Sequence, residues 1–162
     1  MSGLSWRQWR DPAVLVCCGL GSGFLPWAPG TWGSLAALGV WWWLLAASPW
    51  WLQLVSALTV FVVGVWLVER VARRYGAGDD PAIVIDEFAG LWITLIGVGE
   101  EPVPALIGFI AFRVFDILKP WPIRLADTRV KGGFGVMLDD LLAGIFALFV
   151  LQISFRWFAG VF

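Results

Sequence analysis

Histidine is absent from this sequence, and that absence removes a large part of hydrolase chemistry. No histidine general base, phosphohistidine intermediate or imidazole metal ligand can form. Cysteine is nearly absent as well. Cys17 and Cys18 are adjacent, make no C-x-x-C pair, and neither is followed by arginine at the short spacing a cysteine phosphatase needs. We read both as small apolar filler. Charge is also scarce: 14% of residues are charged, where a soluble domain has about a quarter. The net charge of -1 gives no reason to expect a nucleic-acid partner.

What the chain has instead is apolar bulk. Of its 162 residues 60% are hydrophobic and 13 are tryptophan, with a mean hydropathy of +0.82. A soluble domain of this size has too little interior for so many indoles, whereas a bilayer offers them the boundary between tails and water. The composition predicts one integral membrane domain, an all-α polytopic bundle. Spans need roughly 17 to 25 apolar residues, and five segments approach this: 33–47, 50–68, 83 to just before Glu100, 103–118 and 137–161. The stretch from Ala13 to Leu25 follows Arg7 and Arg10 as a signal-peptide core would. It holds Gly19, Gly21 and Gly23, and we expect a retained re-entrant or interfacial piece.

Five spans sort the cations. One side holds Arg7, Arg10, Arg70, Arg73, Arg74, Lys119, Arg124, Arg129 and Lys131, and the other only Arg156. The positive-inside rule makes the first side cytoplasmic and leaves the C-terminus outside the cytoplasm. The same topology gathers GLGSGFLPWAPGTWGS, GDDPAIVIDE, FRVFDILKPWP and KGGFGVMLDD at the cytoplasmic ends of spans, which points to one site at that boundary.

Charges in membrane spans are costly, by about 2.5 kcal/mol or more each. Asp86, Glu87, Arg113, Asp116, Asp139 and Asp140 nevertheless sit at or inside span ends, with Asp79 and Asp80 just outside. Arg113, Asp116 and Lys119 recur at three-residue spacing and share a helix face. An Arg113–Asp116 ion pair explains part of this set but leaves acids in excess. A hard divalent cation would match them, and oxygen ligands without His or Cys suit Mg²⁺ or Mn²⁺ rather than zinc. Gly132, Gly133 and Gly135 precede the fifth span, and Pro29, Gly30 and Thr31 precede the first. Glycine turns at helix starts can present N–H groups to an anion, although neither is a P-loop. Lys119, Arg124, Arg129 and Lys131 add cations that could take phosphate or an anionic head group. Acids for a metal and donors for phosphate at a lipid boundary point to a phosphorylated lipid head group.

The stretches GLGSGFLPWAPGTWGSLAAL, DDPAIVIDEFAG, FRVFDILKPWPI and KGGFGVMLDDLLAG, in that order, cover most of residues 19–144. In them the chain resembles the phosphatidylglycerophosphatase A family. The resemblance implies a Mg²⁺-dependent phosphatase of the bacterial inner membrane that converts phosphatidylglycerophosphate to phosphatidylglycerol. The family motif falls here on Asp79, Asp86, Glu87, Asp116, Lys119, Asp139 and Asp140, with Pro29, Gly30 and Thr31. We expect Asp79, Asp86, Glu87, Asp139 and Asp140 as metal ligands. Thr31, Arg113, Lys119, Gly132 and Gly133 are expected at the phosphate. Asp116, Asp86 and Lys119 are the expected catalytic groups, with Asp116 a ligand, a base or a nucleophile. No D-x-D-x-[TV] signature is present, so a metal-activated water is preferred over an aspartyl-phosphate. A phosphoalcohol transferase lacks support because D-x-x-D-G-x-x-A-R is missing. A transporter would place its acids nearer mid-membrane, and a non-catalytic assembly subunit would not need Asp86. Small residues such as Gly90, Gly97, Gly108 and Gly144 allow close helix packing within or between chains, which leaves the oligomeric state open.

The charge asymmetry makes a topological prediction. With Cys17 and Cys18 replaced by alanine, Glu100→Cys reacts with an impermeant maleimide in intact cells, and Arg129→Cys reacts only after permeabilisation. The reverse pattern overturns the orientation.

Overall fold

The structure is a computed structural model that describes residues 4–159, with side chains as far as residue 154. Among the described residues it is all helix and turn, in line with the all-α expectation. The elements are α1 (Pro12–Cys17), a 3₁₀ segment (Gly19–Phe24), α2 (Pro29–Leu44), α3 (Trp50–Tyr75), α4 (Ile85–Thr94), α5 (Pro102–Leu118), α6 (Ile123–Arg129) and α7 (Gly132–Ala159).

Local chemistry sets the ends. Asp11 caps α1 by accepting from the Ala13 amide at 3.0 Å. Pro29 and Pro102 open α2 and α5, where their missing N–H costs nothing. Gly76, at φ +66°, closes α3 by donating to the Ala72 carbonyl at 2.8 Å. Lys119 closes α5 in the same left-handed region, and Pro120 forbids continuation.

Length separates these helices. α3 and the Gly132–Ser154 part of α7 are long and apolar enough to cross a membrane, with only 28% and 44% of their apolar windows buried. Their outward faces, such as Val62, Trp66, Phe149 and Val150, are exposed. Apolar surface on this scale suits lipid, not water. α2, α4 and α5 have 16, 10 and 17 residues. The expected count of five spanning helices is therefore not reached by length. The third expected span departs furthest. It stops at Thr94, and Gly97 and Gly99 then turn the chain at φ +78° and +71°. Ten residues rise about 15 Å, half a hydrocarbon core.

The Ala13–Leu25 stretch forms α1 and the 3₁₀ segment. It buries Ala13, Val14, Cys17 and Cys18 and packs on α3 and α2 without spanning. α7 starts at Gly132, five residues before the expected Met137, so the glycines form its first turn. Residues 160 and 161 of the expected fifth span lie outside the described residues.

α4 is the hub. It packs against α2, α3, α5 and α7, and all its residues but the half-buried Asp86 are buried. Trp92 donates to the Ala37 carbonyl of α2 at 3.0 Å. Thr94 donates to the Gly90 and Gly144 carbonyls at 3.0 and 3.2 Å. A Cβ on Gly144 would strike the Gly90 backbone, and one on Gly90 would come within 2.5 Å of the Asp140 carbonyl. Gly64 admits Met137 of α7 in the same way.

This crossing predicts opposite signs for two glycine substitutions. Gly144→Ala lowers stability by about 1–3 kcal/mol through overpacking. Gly39→Ala, with nothing within 4 Å of the added carbon, raises it by about 0.5–1 kcal/mol through helix propensity. Denaturant unfolding in detergent measures both, and equal effects would refute the crossing.

Candidate active site

α4, α5, α6 and α7 enclose a cavity of about 490 Å³ whose lip is the Gly76–Asp79 turn after α3. Seven acids reach it, namely Asp79, Asp86, Glu87, Asp116, Asp127, Asp139 and Asp140, against two lysines, Lys119 and Lys131. The cavity thus collects all five expected metal ligands, together with Asp116, Lys119 and Gly132. Arg113, Thr31 and Gly133 do not line it.

Each acid has a different local fate. Asp86 and Glu87 occupy the first turn of α4, where the helix dipole favours negative charge. Asp86 Oδ1 accepts from the Glu87 amide at 3.0 Å. Both Glu87 oxygens are taken: Ser34 Oγ donates to Oε2 at 2.6 Å, and Arg113 Nη1 lies 2.7 Å from each. Arg113 also pairs with Asp116 at 2.8 Å. It is therefore clamped between two carboxylates behind the cavity and does not line it. Gly30 makes this clamp possible, since a Cβ there would collide with Glu87 Oε1. Thr31 follows it at the start of α2, half-buried.

On the other wall Lys119 is held 2.7 Å from Asp127 and 2.5 Å from Asp139. Burial disfavours its ammonium, but the hydrogen bonds to these two carboxylates outweigh that and raise its pKa above the ordinary lysine value. Lys119 is thus a fixed positive charge on the cavity wall. Asp139 and Asp140 are 7% and 4% exposed, and Asp139 Oδ1 and Asp140 Oδ2 have no hydrogen-bond partner. Buried carboxylate oxygens without donors are costly and suit a cation. Among the described residues, however, no three acids are drawn tightly enough to form a ready ligand cluster. Gly133 is occupied otherwise: its amide donates to Glu69 Oε2 at 3.2 Å, and its bare Cα lets α7 pass the Val65 carbonyl.

Two partners went unrecognised in the sequence. Ser34 lies in the quoted PGTWGS motif, one turn after Gly30, and its α2 position was the available signal. Asp127 sits in α6, inside what hydropathy reads as a loop. The cysteines behave as expected of filler. Burial raises both thiols to about 12, so neither is a nucleophile at neutral pH.

The clamp predicts an ordered stability series. Arg113→Met leaves buried Glu87 and half-buried Asp116 without their cation and costs about 3–5 kcal/mol, whereas Ser34→Ala removes one hydrogen bond at about 1 kcal/mol. Detergent-phase unfolding of the two variants checks this, and equal losses would show that the ion cluster does not hold α2, α4 and α5 together.

The chain is similar to known proteins over most of its length. The family model described as phosphatidylglycerophosphatase A matches residues 15–155. A phosphatidylglycerophosphatase A of Escherichia coli (strain K12) is 40% identical over 93% of this chain and 88% of its own length. That of Haemophilus influenzae is 39% identical over 91% of each. A Bacteroides thetaiotaomicron protein, named provisionally as a phosphatidylinositol-3-phosphatase, is 36% identical over 91% of this chain and 95% of its own. No solved structure matches the chain. With an all-helical fold, a lipid-suited exterior and the motif acids gathered in one cavity, this membrane protein belongs to the phosphatidylglycerophosphatase A family.

Proposed function

We propose that the protein hydrolyses the terminal phosphate monoester of phosphatidylglycerophosphate to phosphatidylglycerol and inorganic phosphate, using Mg²⁺, at the cytoplasmic face of the bacterial inner membrane. The observation that carries this reading is the cavity in which seven acids outnumber two lysines. A phosphate cannot enter such a field unless a cation accompanies it. The relatives' names supply the substrate, and the span-end position of the acids supplies the lipid boundary.

The donor set fits a hard cation. Asp139 and Asp140 offer carboxylate oxygens without partners, and Asp86 has one oxygen outside its hydrogen bond to Glu87. One or two of these carboxylates would hold Mg²⁺, with water and substrate phosphate as its other donors; Asp79 lies at the lip. When bound, the cation supplies charge neutralisation, polarises the phosphoryl group and lowers the pKa of water. Glu87 has both oxygens engaged, and its part is to fix Arg113 and the start of α4.

The chain's own groups then perform the displacement. Lys119, held by Asp127 and Asp139, places its ammonium toward the phosphoryl oxygens. Asp116, oriented by Arg113, takes the proton of the attacking water. The new bond joins water oxygen to phosphorus, and the bond from phosphorus to the glycerol oxygen breaks. Asp116 returns its proton to that departing oxygen, so the site ends as it began. Arg113 acts through Glu87 and Asp116 and is a positioning residue. A second reading keeps this chemistry but changes the head group. It is favoured by the provisional name of the Bacteroides relative, which points to an inositol-3-phosphate lipid.

Purified protein in detergent micelles, offered phosphatidylglycerophosphate and phosphatidylinositol 3-phosphate side by side, tests both readings. Phosphate release is expected from the first lipid, lost with EDTA and restored by Mg²⁺. Asp116→Asn lowers turnover about 10²- to 10⁴-fold, and Asp86→Asn shifts the Mg²⁺ dependence to higher concentration. Preference for the inositol lipid selects the second reading. No release from either lipid with any divalent metal, by folded protein, overturns the phosphatase reading.

A further inference from the structure

A second cavity, of about 650 Å³, lies on the other side of the α3 terminus. Tyr75 lines this cavity, and the next residue, Gly76, lines the acid-rich one. Its charge is opposite. Arg7 and Arg10 from the N-terminal segment converge with Arg70 and Arg74 from α3, and Asp11 is the single acid in its lining. Asp11 is already spent. One oxygen accepts from the Ala13 amide at 3.0 Å, and the other is 2.9 Å from both Arg74 Nη1 and the Tyr75 hydroxyl. Among the described residues Arg7, Arg10 and Arg70 have no carboxylate partner.

The two guanidiniums from α3 are held in place. Arg70 stacks 5.7 Å from the centre of the Trp66 ring, and Arg74 5.4 Å from that of Tyr75. The positive-inside bias explains cations on this side of the membrane, but not their convergence on one cavity. Arg73, Arg124 and Arg129 carry the same bias and do not reach it. Below the cavity, α3 presents Trp66 and Val62, four and eight residues before Arg70 and on its helix face; they are 57% and 65% exposed. Trp6 and Trp9, next to Arg7 and Arg10, are exposed as well. Cations at the end of a candidate spanning helix, above an apolar stripe and among indoles, match a lipid's charge order from head to tail.

We propose that this second cavity binds the phosphodiester head group of an anionic phospholipid, with its acyl chains along the Trp66–Val62 face of α3. None of its lining residues lines the acid-rich cavity, so this site is separate from that one. Occupation places an anionic lipid one residue from the lip of the acid-rich cavity and shields the arginines from the acids.

Native mass spectrometry of the full chain released from detergent micelles tests the proposal. EDTA is present, and the probe is phosphatidylserine, neither substrate nor product of the proposed reaction, against phosphatidylcholine. The wild type is expected to retain one phosphatidylserine in preference to phosphatidylcholine. Arg70→Gln, and separately Arg7→Gln with Arg10→Gln, weaken that retention roughly tenfold or more, the scale of a lost charge-assisted hydrogen bond. Arg73→Gln removes the same charge one turn on and changes retention less than about twofold, as expected for a screened surface charge. The variants alter different elements and are compared at matching thermal midpoints. Equal retention by all proteins overturns the proposal. So does displacement of the lipid by millimolar inorganic phosphate, which would make this a free-anion site.

Discussion

Gly90 and Gly144 face each other where α4 crosses α7, and the site depends on that contact. Gly90 follows Asp86 by four residues, and Gly144 follows Asp140 by four. One helical turn from a shared crossing therefore brings both acids to the same end of the same groove. With any side chain at either glycine the backbones must part, because a Cβ on each would meet the other helix's main chain. Thr94 closes the contact by donating to both glycine carbonyls, which seals the lower end of the short helix. Hydrophobic burial alone does not favour helix contacts in lipid, so this close approach and its hydrogen bonds carry much of the association.

The acids brought together this way need matching, and the protein matches only some of them. Arg113 satisfies Glu87 and part of Asp116, with Ser34 completing the Glu87 shell. Lys119 satisfies Asp127 and one oxygen of Asp139. What is left over, chiefly on Asp86, Asp139 and Asp140, faces the cavity. Burial makes that surplus expensive, and the cation proposed above would relieve it. Structure and proposed chemistry thus share one electrostatic imbalance. The arginine-lined cavity beyond Tyr75 is its mirror, with cations in surplus and no acid to spare.

Much of this was legible in the residues. The apolar composition and scarce charge announced a membrane helix bundle, and α5 spans 102–118 as hydropathy suggested. The acids at span ends marked the cavity, because charge so costly in lipid is kept for a reason. Less legible was the half-length α4. The run from Leu91 to Val98 has no charged residue, so hydropathy reads on to Glu100, while the chain turns at Gly97 and Gly99. The α7 start was masked in the opposite way, since its glycines look like a turn and instead form helix packed on α3.

By itself the sequence determined the medium, the helical class and the inventory of charged groups, because these follow from composition and spacing along one chain. Only the tertiary structure decided which carboxylate meets which cation. Arg113 could serve Asp116 alone on its own helix; Glu87 reaches it only because Gly30 and Gly90 let α2, α4 and α5 crowd together. Ser34 meets Glu87 at the same crossing, across 53 residues, and Asp127 meets Lys119 eight residues away, where α6 folds back after α5. Pairings of this kind depend on distances between helices, set by side-chain volumes at their crossings, and one-dimensional periodicity carries no record of them.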